Sequence, residues 1–417
     1  MLRSSTLIAL LALTGTTWIV PVDAQEESLT LDQCVSLALE QNPLVLSARE
    51  EYRASLARIS QARELPQPSL NFDSDLQPGI TNLRGSQEQY IGIGAQVPFP
   101  GRTRLRGRIA QQESGETQAD VETLKLDLTF RVNEAFFDLL LTRERITYAR
   151  QNLDFSQDFV EKTELKFAAG DVPQVEVIRA RVEAARAVTE LRRAETEEDL
   201  ARARMNFLLA RPQATPVEIH GQLKAAGVSQ DLEQLTDLAF SSRPEMSRIE
   251  SSIEKAALTR RLGMMSYLPD FDVGAAQHRI AGEPNTWDVT LSVNLPLFFW
   301  QPARGKIREA TAHSRALIRE ATHLRNLISL EVEEAHRKYL TAVNQIQLIE
   351  EEILAQAEQV YEMYVFSYQH GDIGGIELIE AQRTLNEARK SYADSLYDYS
   401  IAIASLEKSV GRALGGN

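Results

Sequence analysis

The chain has titratable and nucleophilic side chains, but none in a spacing that catalysis requires. Its 417 residues contain no G-x-S-x-G, no G-x-x-x-x-G-K and no H-E-x-x-H, so no nucleophile elbow, phosphate loop or zinc-binding helix is written into it. Six histidines, His220, His278, His313, His323, His336 and His370, are scattered without metal-ligand spacing. Cys34 has no second cysteine to pair with, and on an amphipathic helix it reads as a small packed apolar group. Gly92-x-Gly94 has the form of a phosphate loop, but it lies in a strand-like alternation that accounts for it better. Neither a catalytic centre nor a cofactor or metal site is expected. The one recurrent chemical feature is a Gly-Asp pair, Gly170-Asp171 and Gly371-Asp372, in which each carboxylate can cap the helix that follows.

Those two pairs are 201 residues apart, as are Asn42-Pro43 from Arg243-Pro244, Ala180 from Ala381 and Arg211 from Arg412. Residues 30 to 211 and 235 to 412 are therefore two diverged copies of one unit, far too long for a solenoid repeat. We place the units at 25–221 and 222–417. Ahead of them, Met1 to Ala24 reads as a secretory signal peptide, with Arg3, an apolar stretch from Leu7 to Leu13, and Val22-Asp23-Ala24 as the cleavage site. A net charge of −14 argues against nucleic acid as partner.

No later segment supplies the roughly 20 apolar residues of a spanning helix, so a membrane protein made from this chain must use strands. Tyr90 to Phe99 and Trp287 to Leu297 alternate apolar and polar residues, and Ser69 to Leu76 and Phe271 to Gln277 are expected to pair with them. Aromatic residues Tyr90, Phe99, Phe271, Trp287, Phe298, Phe299 and Trp300 cluster at the strand ends, as interfacial girdles do. Gln77 to Glu88 and His278 to Asn285 read as the polar turns between partners. The same alternation also suits a soluble sheet, which leaves a periplasmic coiled-coil scaffold as a second reading.

Everything else reads as helix. Arg102 to Ala168 and Ala303 to Gln369 are proline-free runs of 67 residues, or about 100 Å each. Val132, Ala135, Leu139, Thr142, Ile146, Ala149, Leu153, Ser156 and Val160 follow coiled-coil spacing in the first. Val332, Ala335, Tyr339, Ala342, Ile346, Ile349, Ile353, Val360 and Met363 do so in the second. Each rod is expected to fold back through its Gly-Asp turn. Four strands cannot close a barrel, and lipid does not tolerate an open sheet edge. Because an aqueous lumen needs more than about eight strands, three copies giving twelve is the smallest useful closure.

At this point the mature chain resembles the TolC-like outer membrane efflux proteins, in the branch associated with heavy-metal and drug efflux. The resemblance is carried by Leu29-Thr30-Leu31 through Asn42-Pro43, Val97-Pro98-Phe99-Pro100-Gly101-Arg102, Leu295-Pro296-Leu297-Phe298, and the turns Phe167-Ala168-Ala169-Gly170-Asp171 and Tyr368-Gln369-His370-Gly371-Asp372. It implies a mainly α fold with a transmembrane β part: a homotrimer whose twelve-stranded barrel in outer membrane lipid continues into a periplasmic α-helical barrel. The implied partners are a periplasmic adaptor (membrane fusion) protein and an inner membrane pump. The implied adaptor-contact and pore-tip residues are Gly170, Asp171, Val172, Gly371, Asp372 and Ile373, with Asp171 or Asp372 tripled into an acidic ring. His370, beside the second turn, is a candidate for titration near neutral pH, and Gly374-Gly375 is expected to loosen that turn. A type I secretion conduit of the same fold stays open, as does the cargo.

Overall fold

The computed structural model describes residues 28–75, 87–223, 231–295, 298 and 302–414. The expected signal peptide, most of the first polar turn, and Phe299 and Trp300 lie outside them. In chain order the elements are α1 (Leu31–Gln41), α2 (Pro43–Arg63), β1 (Ser69–Asp75), β2 (Glu88–Val97), α3 (Arg102–Ala169) and α4 (Gln174–Leu208). The same order then recurs as α5 (Leu232–Ser242), α6 (Pro244–Met264), β3 (Asp270–Ile280), β4 (Thr286–Asn294), α7 (Pro302–Leu348), α8 (Ala355–His370) and α9 (Gly375–Val410).

Local chemistry sets the short helices. Thr30 and Gln33 form a capping box at α1, Asn42 accepts from the Leu44 N–H ahead of α2, and Asp231 caps α5 through Gln234. Pro43 and Pro244 open α2 and α6, where the missing N–H costs nothing. In the first repeat α1 packs on the middle of α3, where α4 ends beside it, and buries Cys34, Ala38, Val132, Leu139, Met205 and Leu209. The second repeat buries Leu235, Ala239, Val332, Tyr339, Leu406 and Val410 in the equivalent place.

The four strands form one antiparallel sheet in the order β1-β2-β3-β4. The two repeats therefore join through β2 and β3, with Tyr90 opposite His278 and Val97 opposite Phe271, leaving β1 and β4 as edges. Gly92 is required by this junction, since a Cβ there would lie 2.7 Å from that of Ala276. The expectation of a polar turn beginning at His278 is corrected: β3 continues to Ile280, because His278, Arg279 and Ile280 pair with Tyr90, Gln89 and Glu88. Leu70, Ile93, Val289 and Leu291 stand exposed on one face.

The long rods need a second correction. The first is a continuous helix of 68 residues. The second is broken by a π-helical turn, Ile349–Leu354, between α7 and α8. The buried seam explains it. Leu128, Val132, Ala135, Leu139, Thr142, Ile146 and Ala149 correspond to Ile328, Val332, Ala335, Tyr339, Ala342, Ile346 and Ile349 at an offset of 200, yet the next buried pair, Ser156 and Ala357, is offset by 201. The second copy has one extra residue here, and one widened turn absorbs it. Beyond that turn the seam passes to Leu354, Ala357 and Tyr361. Ile353, Val360 and Met363, which an unbroken repeat places in the seam, are exposed at 45%, 36% and 53%.

Candidate functional site: the hairpin tips and the sheet

Both Gly-Asp turns close their rods with the same geometry. Gly170 (φ 85°) and Gly371 (φ 80°) adopt the left-handed conformation that ends a helix. Asp171 N–H then donates to the Lys166 carbonyl, and Asp372 N–H to that of Ser367, each at 2.9 Å. No neighbouring atom approaches either glycine, so φ alone selects the residue type. Asp171 and Asp372 are exposed, Val172 and Ile373 half-buried. Neither carboxylate caps the helix after it: the cap positions of α4 and α9 are Pro173 and Gly374, without a side-chain hydrogen bond. Pro173 sits one residue before α4, with its backbone extended.

The structure brings the two turns to one end of the molecule through an aromatic cluster that the sequence did not single out. Phe159 on α3 meets Tyr368 on α8 with ring centroids 5.8 Å apart, Phe155 meets Tyr361 at 6.3 Å, and Ala180 and Leu378 pack beneath them. Lys166 lies 4.1 Å from the Tyr368 ring centroid. Burial raises the Tyr361 hydroxyl above its ordinary value, keeping it neutral. The four-residue spacing of Phe155 and Phe159 was the available signal, masked because such pairs are ordinary seam packing.

Gly375 corrects the expectation of a loose second turn. It is buried at the start of α9, and a Cβ there would lie 2.6 Å from the Phe159 ring, so its missing side chain permits close approach between hairpins. His370 Nδ1–H donates to the Phe366 carbonyl at 2.8 Å, and the imidazole lies over that residue's ring, which makes it a satisfied helix-end residue.

Above the tips, polar contacts tie one hairpin to the other. Arg383 on α9 holds Glu183 on α4 at 2.5 Å, Lys390 pairs with Glu190, and Arg145 on α3 reaches Asp394 on α9 at 2.8 Å. Asn386 donates to Asn152 at 2.7 Å. Donating to the Glu183 carboxylate pushes the Arg383 guanidinium still further toward its charged form.

At the opposite end, the sheet face turned away from Leu70 and Val289 carries Asp73, Asp75, Glu88, Asp272, His278 and Asp288, as strand alternation and register require. His278 Nε2 lies 2.7 Å from Glu88, and its ring stacks on Tyr90 at 4.0 Å. An acidic face of this kind favours cations in adjoining water. Among the described residues no group of three or more His, Cys, Asp or Glu could hold a metal ion, and no helix is long and apolar enough to cross a membrane.

Comparisons with known proteins complete the picture. The sequence profile of the family described as Outer membrane efflux protein matches residues 34–211 and again 235–412. A cobalt-zinc-cadmium resistance protein of Cupriavidus metallidurans is 26% identical over 425 residues, covering 96% of this chain and 94% of that one. Among solved structures, the open state of the Neisseria gonorrhoeae MtrE outer membrane channel superposes with a TM-score of 0.77 at 18% identity, over 93% of this chain and 90% of that chain. The outer-membrane channel OprN gives 0.76 at 18% identity, over 92% and 90%.

Proposed function

The chain belongs to the outer membrane efflux protein family, and from that premise we propose that it is the passive exit duct of a tripartite efflux system. It is an outer membrane efflux channel with a long periplasmic helical extension, in a family of channels rather than enzymes. The finer reading is a homotrimer of the two-repeat chain, closed through β1 and β4 into a twelve-stranded barrel and docked below to an adaptor protein and an inner membrane pump.

The observation that carries it is the open four-stranded sheet, apolar and exposed on one face, at the end of rods about 100 Å long. Each unpaired edge N–H or C=O in hydrocarbon costs several kcal/mol, and pairing β4 of one copy with β1 of the next removes that cost around a ring. A general diffusion porin has no use for the rods. Gly170, Asp171, Val172, Gly371, Asp372 and Ile373 then form the adaptor-contact and pore tip, which their shared location at the far end supports. The cargo we favour is a heavy-metal cation, supported by the printed name of the Cupriavidus relative and by the acidic face of the sheet.

The reading is tested by fractionation. The chain should stay with the outer membrane through a salt wash, come out in detergent as a trimer, and restore cobalt, zinc or cadmium tolerance to cells lacking their own duct. A monomer soluble without detergent would end the duct reading, whereas a detergent-extracted trimer that leaves tolerance unchanged would end only the metal assignment.

A further inference from the structure

The level at which strands give way to helices is basic in an otherwise acidic chain. From Arg102 to Gln112 there are four arginines and no carboxylate, against a net charge of −14 for the whole chain. Both repeats carry the same alternation at the start of their long helices, Arg104-x-Arg106-x-Arg108 and Arg304-x-Lys306-x-Arg308, offset by 200. The end of α6 adds Arg260 and Arg261.

Two of the cations at this level are already committed. Arg102 holds Asp270 at 2.5 Å and donates to the carbonyls of Met265 and Leu268, and Arg108 holds Glu254 at 3.0 Å. Arg104, Arg106, Arg260, Arg261, Arg304 and Lys306 are exposed and form no ion pair among the described residues.

Exposed apolar side chains lie immediately above, with Leu295 at 63% and Phe298 at 66%. Between α3, α6 and α7 a cavity of about 540 Å³ puts the two kinds of surface side by side, with Arg106 and Lys306 beside Leu262 and Leu268. The cavity is also lined by two carboxylates, Glu309 and Asp270, and Asp270 is already held by Arg102. Cations below an apolar band, around a pocket lined by both, complement a phosphodiester headgroup with its acyl chains.

We propose that this belt binds anionic phospholipid of the periplasmic leaflet, with Arg104, Arg106, Arg304 and Lys306 as the headgroup ligands. The proposal rests on the outer membrane reading, which sets the belt at the inner boundary of the bilayer. The positive N-terminal ends of α3 and α7 add to the attraction.

Native mass spectrometry of the full chain, released from micelles containing equal phosphatidylglycerol and phosphatidylcholine, tests it. Wild type should retain phosphatidylglycerol over phosphatidylcholine by about tenfold or more, since each cation near a headgroup is worth on the order of fivefold. Combining Arg104→Ser, Arg106→Ser, Arg304→Ser and Lys306→Ser should bring retention to near parity, while Arg186→Ser with Arg193→Ser, midway down the rod, should leave the preference intact. If the quadruple variant does not assemble, raising salt from about 50 to about 500 mM on wild type should erode the preference by screening.

No preference in wild type, or a preference indifferent to both the substitutions and salt, would overturn the proposal. Displacement of the lipid by inorganic phosphate at equal concentration would assign the pocket to the free ion and overturn it too. Failure of the outer membrane reading has a different signature, a chain that needs no detergent and retains neither lipid.

Discussion

At the residue scale, two positions carry consequences that can be measured. Gly375 sits where a side chain would enter the Phe159 ring, so Gly375→Val should lower the unfolding midpoint through overpacking worth about 1–3 kcal/mol. Phe159→Ala should recover part of that loss in the double variant, because the two residues share one space. Glu245 is the second. Burial raises its carboxyl, but the hydrogen bond and positive charge of the half-buried Arg243 guanidinium, together with a backbone hydrogen bond, outweigh that and hold it below its ordinary value. A carboxyl lowered in the folded state contributes stability that is complete above its unfolded value and disappears as pH falls through the folded one. Unfolding midpoints followed downward from about pH 5 should therefore fall more steeply for wild type than for Glu245→Gln. Asn42, the position equivalent to Arg243, uses its amide to reach the Leu208 carbonyl at 3.1 Å. Two different polar groups thus serve one elbow, which is why repeat matching found the position but not its chemistry. Cys34 was legible as packed: it is fully buried, and burial pushes its thiol up to about 11 despite the opposing charge of Arg211.

At the element scale, strands, long hairpins and their turns were readable because each rests on a local periodicity. The sheet register was not, and β3 ran three residues past its expected end because pairing with β2 outweighs the local turn signal at His278. The π turn had left a trace. The seam positions of the two rods were offset by 200 while the Gly-Asp turns were offset by 201, and the difference is the residue that Ile349–Leu354 accommodates. Deleting Glu351 should restore a continuous α-helix and keep Ala357 in the seam, leaving the thermal midpoint within a few degrees of wild type. Deleting Glu320, in unbroken α7, shifts every seam residue on one side of the cut and should cost on the order of 3 kcal/mol or more. Thermal scans by circular dichroism separate the two deletions. Equal losses would mean that the widened turn is not the site of the extra residue.

At the scale of the whole molecule, the sheet has one apolar and one polar face, and assembly requires each to meet its own solvent. Leu291 is 69% exposed in the single chain and lies on the apolar face, whereas its neighbour Thr290 pairs with Gly274 on the polar one. An arginine on a lipid face costs about 2–4 kcal/mol at mid-bilayer, and the proposed threefold assembly would triple that within one barrel. A lumen-facing arginine keeps its hydration and costs little. Leu291→Arg should therefore abolish the detergent-extracted trimer while Thr290→Arg preserves it, as judged by gel mobility before and after heating. The pair differs by one position in sequence and carries the same added charge, so export or expression defects common to both cannot produce the difference. If the two variants assemble equally well, the sheet does not border hydrocarbon. Closure of β1 against β4 would then lose its physical cause, because an edge bathed in water has its hydrogen bonds satisfied without a neighbour.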